Sequence, residues 1–303
     1  MERKLLFVYN PKAGKAQIRN KLADILDVFA QEGYEITVAP TQKRDDARAV
    51  VAGRRKDYEL VVCSGGDGTL DEVVTGMIQS GLRTPIGYIP AGSTNDFGGS
   101  ISLPKNMVRA ARIAVRGRDF PCDIGTFRYE DVDDVFVYIA AFGLFTDVSY
   151  ETEQEMKNVL GHMAYLLEGV KSLSSIRSFP VKVSWDGNEV EDDFIFGMVT
   201  NSLSVGGFKN ITGRNVKLDD GLFEVTLIKM PKSPIELSNI MISLLNRSID
   251  TNAMYCFRTA ELTFESKEAV AWTLDGENGG SHKKVTIRNV YKGMDIRVKP
   301  LPE

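Results

Sequence analysis

The rhythm of hydrophobic and polar positions changes once along this chain. Up to about Asp119, apolar runs of strand length alternate with amphipathic segments of helix length. KLLFVYN reads as a buried strand that stops at PKAG. From about Lys15 to Gly33, Ile18, Leu22, Ile25, Leu26 and Phe29 fall on one helical face, and Gly33 supplies the stop. YEITVAPT is a second strand, followed by a polar helix over roughly Arg44 to Lys56. YELVVCSGG is a third strand and TLDEVVTGMIQSG a helix. TPIGYIPAGSTNDF is a fourth strand with its loop, and PKNMVRAARIAVRG a further helix. Strands separated by helices of this size pair parallel, which predicts a doubly wound α/β layer.

Beyond Asp119 alternating runs dominate: DDVFVYIAAFG, PVKVSWDGNEVEDDFIFGMVTN, GLFEVTLIKM, RTAELTFESKEAVAWTLDGE and KKVTIRNVYKGMDIRVKP. They predict an antiparallel β-sandwich, with WDGN as a hairpin turn. Two helices interrupt it, near Glu151–Leu173 and Ile235–Arg247. The expected organisation is an α/β domain over 1–121 and a β domain over 122–289, with a last strand, about 290–303, that could return to the first domain.

Composition narrows the function classes. Three cysteines in 303 residues, Cys63, Cys122 and Cys256, are scattered and odd in number, so neither a disulfide framework nor a paired-cysteine metal site is expected. This points to a reducing, cytoplasmic setting. A net charge of -4 argues against a dedicated nucleic-acid binder. The apolar run Leu5–Tyr9 is too short for a signal peptide or a membrane span, and no later segment is long enough. His162 and His282 stand too far apart in context to suggest a histidine metal site or triad. Arg54–Lys56 with Arg109, Arg112, Arg116 and Arg118 could face anionic lipid, or be ordinary solvated helix faces. Met156, Leu160, Met163 and Leu167 could cover an apolar pocket or simply pack.

Three loops carry the candidate chemistry: NPKAGK (Asn10–Lys15), SGGDGT (Ser64–Thr69) and PAGSTND (Pro90–Asp96). Each follows a strand of the presumed parallel sheet, where ligands bind. Glycine lets the backbone approach a ligand, and amides at a helix start attract phosphate. Asp67 would repel phosphate, so an acid there implies a divalent cation between them. A plain capped turn explains one such loop, but explains three on one edge poorly. The spacing is neither GxxxxGK[ST] nor GxGxxG.

GGDGTLDEV, with NPKAGK upstream and PAGSTNDF downstream, resembles the diacylglycerol kinase catalytic-domain family, above all its soluble bacterial lipid kinases. CDIG (Cys122–Gly125), KLDDGLFEV (Lys217–Val225) and LDGE (Leu274–Glu277) follow in the family's order, so the likeness spans essentially the whole chain. The resemblance implies an N-terminal nucleotide domain and a β-sandwich domain with the active site between them, ATP and Mg2+ as cofactors, and a lipid hydroxyl as acceptor, diacylglycerol first. It implies nucleotide contacts from Asn10, Thr41, Gly65, Gly66, Asp67, Gly68, Thr69, Asn95 and Asp96, with Asp67 also on the catalytic magnesium. Glu277 would be the general base, and Asp123 and Asp275 would polarise the hydroxyl or organise magnesium. A structural magnesium would fall on Asp220 with the carbonyls of Lys217 and Leu222. The enzyme would act at the membrane surface from the water side, without a transmembrane segment or nucleic acid, and exposed strand edges could pair as a homodimer. Asp71 and Ser93 depart from the family's common Asn and Thr without breaking the acid set. Asp219–Gly221 and Asp275–Glu277 also read as simple turns. Two alternatives stay open: an NAD kinase-like enzyme, and a non-catalytic lipid- or nucleotide-binding regulator.

Overall fold

The computed structural model describes residues 3–53, 58–144, 146, 176–205, 208–209, 216–246 and 252–300. The expected helix near Glu151–Leu173, with His162 and the Met156–Leu167 face, and the basic run Arg54–Lys56 lie outside them. The chain divides into two compact units. Unit 1 comprises Met1–Ile124 and Tyr291–Glu303, and unit 2 comprises Gly125–Val290. Among the described residues, no helix is long and apolar enough to cross a membrane.

Unit 1 is an α/β layer. Its elements are β1 (Arg3–Tyr9), α1 (Ile18–Gln31), β2 (Tyr34–Pro40), α2 (Asp46–Gly53), β3 (Leu60–Gly65), α3 (Asp67–Ser80), β4 (Ile86–Pro90), α4 (Asp96–Ser100), α5 (Met107–Arg116) and the start of β5 (Arg118–Tyr129). β1 pairs parallel with β2 and β3, and β3 pairs parallel with β4. Both faces of β1 and β3 are buried, which is why these strands read as unbroken apolar runs. Leu5, Phe7, Leu60 and Val62 pack with Ile25 and Phe29 of α1 and Ala110 and Ala114 of α5. Leu6, Val8, Val61 and Cys63 point the other way and are equally buried, on the side left to α2 and α3.

Two helix starts fall later than the periodicity suggests. α1 opens at Ile18, not Lys15, because Ala16 takes a left-handed φ of 52°. α2 opens at Asp46, not Arg44, because Asp45 does the same at 63° and the Asp46 carboxylate accepts the Gln42 and Lys43 amides. α4, five residues after Asn95, had no periodic signal.

Unit 2 is β-rich. It holds the end of β5, then β6 (Val132–Phe136), β7 (Ile139–Gly143), β8 (Phe179–Trp185), β9 (Asn188–Thr200), the short pair β10 (Ser204–Val205) and β11 (Phe208–Lys209), β12 (Phe223–Lys229), α6 (Pro234–Asn246), β13 (Met254–Thr259), β14 (Glu261–Leu274) and most of β15 (Glu277–Val298). Its main sheet runs β13-β12-β9-β7-β14-β15, and these neighbours pair antiparallel. β8 joins β9 to β14 further along both strands. Phe127, Phe136, Phe142, Phe194, Phe223 and Trp272 dominate the core. β12 is buried on both faces: Phe223, Val225 and Leu227 enter that core, and Ile228 meets Ile240 of α6.

WDGN closes the β8–β9 hairpin with Asp186 at φ 44° and Gly187 at φ 77°, the pair of positive angles such a two-residue turn requires. Two features differ from the pattern. DDVFVYIAAFG is two strands broken at Val137–Tyr138, and β5 is a strand across CDIG that the alternation missed.

Candidate functional site

Strand register builds the site in unit 1. Tyr9 lies level with Pro40 and with Ser64, and Gly65 with Pro90. Asn10, Thr41, Gly66 and Ala91 therefore leave the sheet at one edge, and the three glycine-bearing loops become neighbours. Hydrogen bonds join them. The Asn10 amide donates to Ser64 O at 2.8 Å, the Ala91 and Gly92 amides donate to Gly65 O at 2.8 and 3.2 Å, and the Asp96 amide donates to Asp67 Oδ2 at 2.9 Å. Thr41, 8% exposed, donates its amide to Tyr9 O at 2.9 Å.

Glycine is required where the backbones touch. A Cβ on Gly92 would lie 2.5 Å from Gly66 Cα, and one on Gly14, at φ 53°, would lie 2.4 Å from Ala91 O. The space these hydrogens keep open borders the first turn of α3. Gly66 caps this helix in extended conformation and Asp67 is its first residue. The amide groups there give a positive end suited to phosphate.

Side chains complete the edge. Asn10 Oδ1 accepts the Lys12 amide at 2.9 Å, closing an Asx turn, and its Nδ2 makes no hydrogen bond among the described residues. Asn95 adopts a left-handed φ of 54°. Its Oδ1 accepts the Gly92 amide at 2.9 Å and its Nδ2 donates to Gly92 O at 2.7 Å, so this side chain shapes the loop. Asp96 is buried at the start of α4.

One residue of this edge was missed in the sequence. Tyr88 of β4 is wholly buried, and its hydroxyl points to Gly65 O at 3.2 Å and Asn95 Oδ1 at 3.3 Å. Burial first, then the Asp67 charge, push the phenol well above its ordinary pKa. The available signal was a tyrosine inside a fully apolar strand, whose hydroxyl has to find a partner.

The remaining acids have their own partners within each unit. Asp123, wholly buried in unit 1, accepts the Lys292 amide on Oδ1 at 2.7 Å. In unit 2, Asp275 and Gly276 form the β14–β15 turn with φ of 51° and 85°, and Leu274 pairs with Glu277, which is exposed. The Asp275 carboxylate is 4% exposed and accepts three successive amides: Val137 at 2.5 Å, Tyr138 at 3.0 Å and Ile139 at 3.0 Å. That pull takes Val137 and Tyr138 out of the strand ladder.

Asp220 Oδ1 accepts the Leu222 amide at 3.2 Å, and its Oδ2 pairs with Arg258. Arg258 Nε also meets Glu224 Oε1 at 3.1 Å, while Glu224 Oε2 is buried without a hydrogen bond among the described residues. Burial raises the Glu224 carboxyl to about 7, against the lowering effect of Arg258 and with a further rise from Asp220. An acid whose folded pKa exceeds its unfolded value costs no stability below the unfolded value and its full penalty above the folded one. Stability of metal-free unit 2 should therefore fall as pH rises from about 4.5 to about 7. Glu224→Gln is expected to flatten this slope in chemical denaturation; an unchanged slope would rule it out.

No cluster of three or more His, Cys, Asp or Glu side chains suits a metal among the described residues. Magnesium needs no such cluster, since one or two carboxylates and substrate phosphates commonly hold it. The cradle beside Asp67, kept open by Gly66 and Gly92, fits that mode. At Asp220 the donors are hard oxygens of the right kind, with the carboxylate shared with a guanidinium.

Comparison with known proteins agrees with this geometry. Residues 4–127 match the family model "Diacylglycerol kinase catalytic domain", and residues 140–298 match "YegS C-terminal NAD kinase beta sandwich-like domain". Diacylglycerol kinase of Bacillus subtilis is 30% identical over 90% of this chain and 89% of its own. That of Staphylococcus carnosus is 32% identical over 92% and 90%. A crystal structure of a diacylglycerol kinase from Bacillus anthracis superposes with a TM-score of 0.75 at 23% identity, covering 98% of this chain and 97% of that one. A second structure from the same organism reaches 0.82 over the same coverage, also at 23% identity. These structures support the fold, and the sequence relatives and domain matches establish kinship: the chain belongs to the diacylglycerol kinase family.

Proposed function

We propose that this chain is a lipid kinase that transfers the γ-phosphoryl group of ATP to a lipid hydroxyl, with diacylglycerol as acceptor and phosphatidic acid as product. The observation that carries this reading is the meeting of three glycine-bearing loops beside Asp67 on one edge of a parallel sheet. It is supported by relatives, named for this reaction, that match the chain nearly end to end.

In this reading the α3 amides, Asn10 Nδ2 and Thr69 hold phosphate oxygens. Gly65, Gly66 and Gly68 give them room, and Thr41, Asn95 and Asp96 border the nucleotide. Magnesium held at Asp67 would neutralise phosphate charge. The acceptor oxygen bonds to the γ-phosphorus as the bond to the bridging oxygen breaks and ADP leaves. Glu277 takes the proton of the acceptor hydroxyl, a poor nucleophile until that proton moves. Asp123 helps polarise that hydroxyl or organise magnesium. Asp220, with the carbonyls of Lys217 and Leu222, would hold a structural magnesium. The units serve as a doubly wound nucleotide domain and a sandwich-like acceptor domain, working peripherally at the cytoplasmic membrane surface.

Asp275 takes a different part from the one the resemblance implies. With its carboxylate engaged by three amides, it positions the turn that presents Glu277. Asp275→Ala leaves three buried donors unmet, at about 1–3 kcal/mol each. Unit 2 should lose about 3 kcal/mol or more, read by urea denaturation. Unchanged stability would sink the positioning role.

The test of function is transfer of radiolabel from ATP, with magnesium, to diacylglycerol, phosphatidylglycerol, sphingosine, ceramide or NAD in mixed micelles. Labelled phosphatidic acid is the expected product. Label on NAD alone would replace this reading with the NAD kinase-like one.

A further inference from the structure

We propose that α5 is the face on which this chain docks against a bilayer rich in anionic phospholipid, with the guanidinium groups of Arg109 and Arg112 as its headgroup contacts. The inference rests on the reading of the chain as a lipid kinase given above, and names the surface that meets its membrane.

α5 is two-sided. Met107, Ala110, Ala111, Ala114 and Val115 are buried, and the small side chains bring the helix close to β4: a Cβ on Gly87 would lie 2.5 Å from Ala114 Cβ. Arg109, Arg112 and Arg116 are exposed. Successive helical residues turn by about 100°, so these three fall within about 60° of arc. Lys105 stands exposed just before the helix. An ordinary solvated face mixes signs, as α1 does with Lys21 paired to Asp24 at 3.2 Å. α5 carries no acid at all. Glu32, at the end of α1, pairs with Arg116.

The other two guanidinium groups stand out. Every other arginine among the described residues has a hydrogen bond, an ion pair or a ring contact, as Arg3 has with Glu59, Arg19 with Pro11 O and Arg118 with Phe120. The side chains of Arg109 and Arg112 have none. A guanidinium is weakly hydrated and its fork of donors matches a pair of phosphate oxygens. RNA-binding chains carry a broad positive field, which a net charge of -4 does not supply. A short basic row on a closely packed helix suits the headgroup layer of an anionic bilayer, where each basic residue adds to the attraction.

The test is sedimentation with vesicles of phosphatidylcholine alone or mixed with phosphatidylglycerol, at low and high salt. Three proteins are compared: wild type, R109Q/R112Q, and K267Q/K299Q, which loses the same charge from exposed positions elsewhere. Transfer to a short-chain diacylglycerol in neutral detergent micelles, and binding to a single-stranded RNA, are measured alongside. Arg109 and Arg112 hold nothing within the protein, so R109Q/R112Q should fold and should transfer in micelles as wild type does. Wild type should sediment with the anionic vesicles and be released by salt. R109Q/R112Q should bind them about thirtyfold more weakly, the share of two basic residues. K267Q/K299Q should stay within about twofold of wild type, since distant charges are screened. Wild type that shows no preference for anionic vesicles overturns the docking face, as does equal affinity in R109Q/R112Q, and either result leaves the kinase reading standing. An equal loss in both double variants overturns it too, since net charge alone would then act. So does tighter binding of wild type to RNA than to anionic vesicles. Wild type that transfers nothing in micelles overturns the kinase reading, and the proposal with it.

Discussion

Asp67→Asn should cut phosphoryl transfer roughly a thousandfold in kcat/KM, in line with loss of a principal electrostatic element of a phosphoryl-transfer site. The substitution is nearly isosteric. An Asn oxygen can still accept the Asp96 amide now held by Oδ2, so the two loops stay joined. The loss of negative charge at the first residue of α3 costs only about 0.3–1 kcal/mol through the helix dipole. The activity loss should therefore appear in a folded protein. Magnesium titration of the initial rate is the diagnostic, because the half-saturating concentration should rise along with the fall in rate. A variant that kept a third of wild-type transfer at wild-type magnesium dependence would remove Asp67 from the cation site.

Glu277→Gln should cost transfer about a thousandfold as well, within the range for a general base, but by a separable route. Glu277 is exposed and begins β15 just beyond the Asp275–Gly276 turn. Surface changes of this kind usually alter stability by less than about 0.5 kcal/mol. Magnesium–ADP affinity should stay at the wild-type value, in contrast to D67N. Slow transfer with intact nucleotide binding locates the defect in proton removal from the acceptor. Full activity in E277Q would require another base.

What the sequence revealed and concealed follows the range of the forces involved. β1 and β3 were legible because burial on both faces leaves only apolar residues. α1 was legible from Ile18, Ile25 and Phe29 on one face, and WDGN from local turn chemistry. The β5 strand was hidden because Pro121 and Gly125 weaken its local preference, while pairing with β6 decides the outcome. The break at Val137–Tyr138 was hidden more deeply, since its cause is a carboxylate more than a hundred residues away. The candidate site shows the same division. Its loops were recognisable as motifs, whereas their meeting depends on strand register and the part of Tyr88 on three-dimensional neighbours.

The return of the chain to unit 1 bears on the order of events during synthesis. β15 lies beside β4 with Ile296 opposite Ile86, Arg297 donates to Gly117 O, and Arg83 donates to Gly293 O. The sheet that carries the three glycine-bearing loops therefore gains this strand only when residues near 298 leave the ribosome, after all of unit 2 has emerged. Until then β4 presents an open edge, the kind that recruits strands from other chains. A nascent chain of this protein is therefore most exposed to misassembly after unit 2 has emerged and before β15 has joined β4.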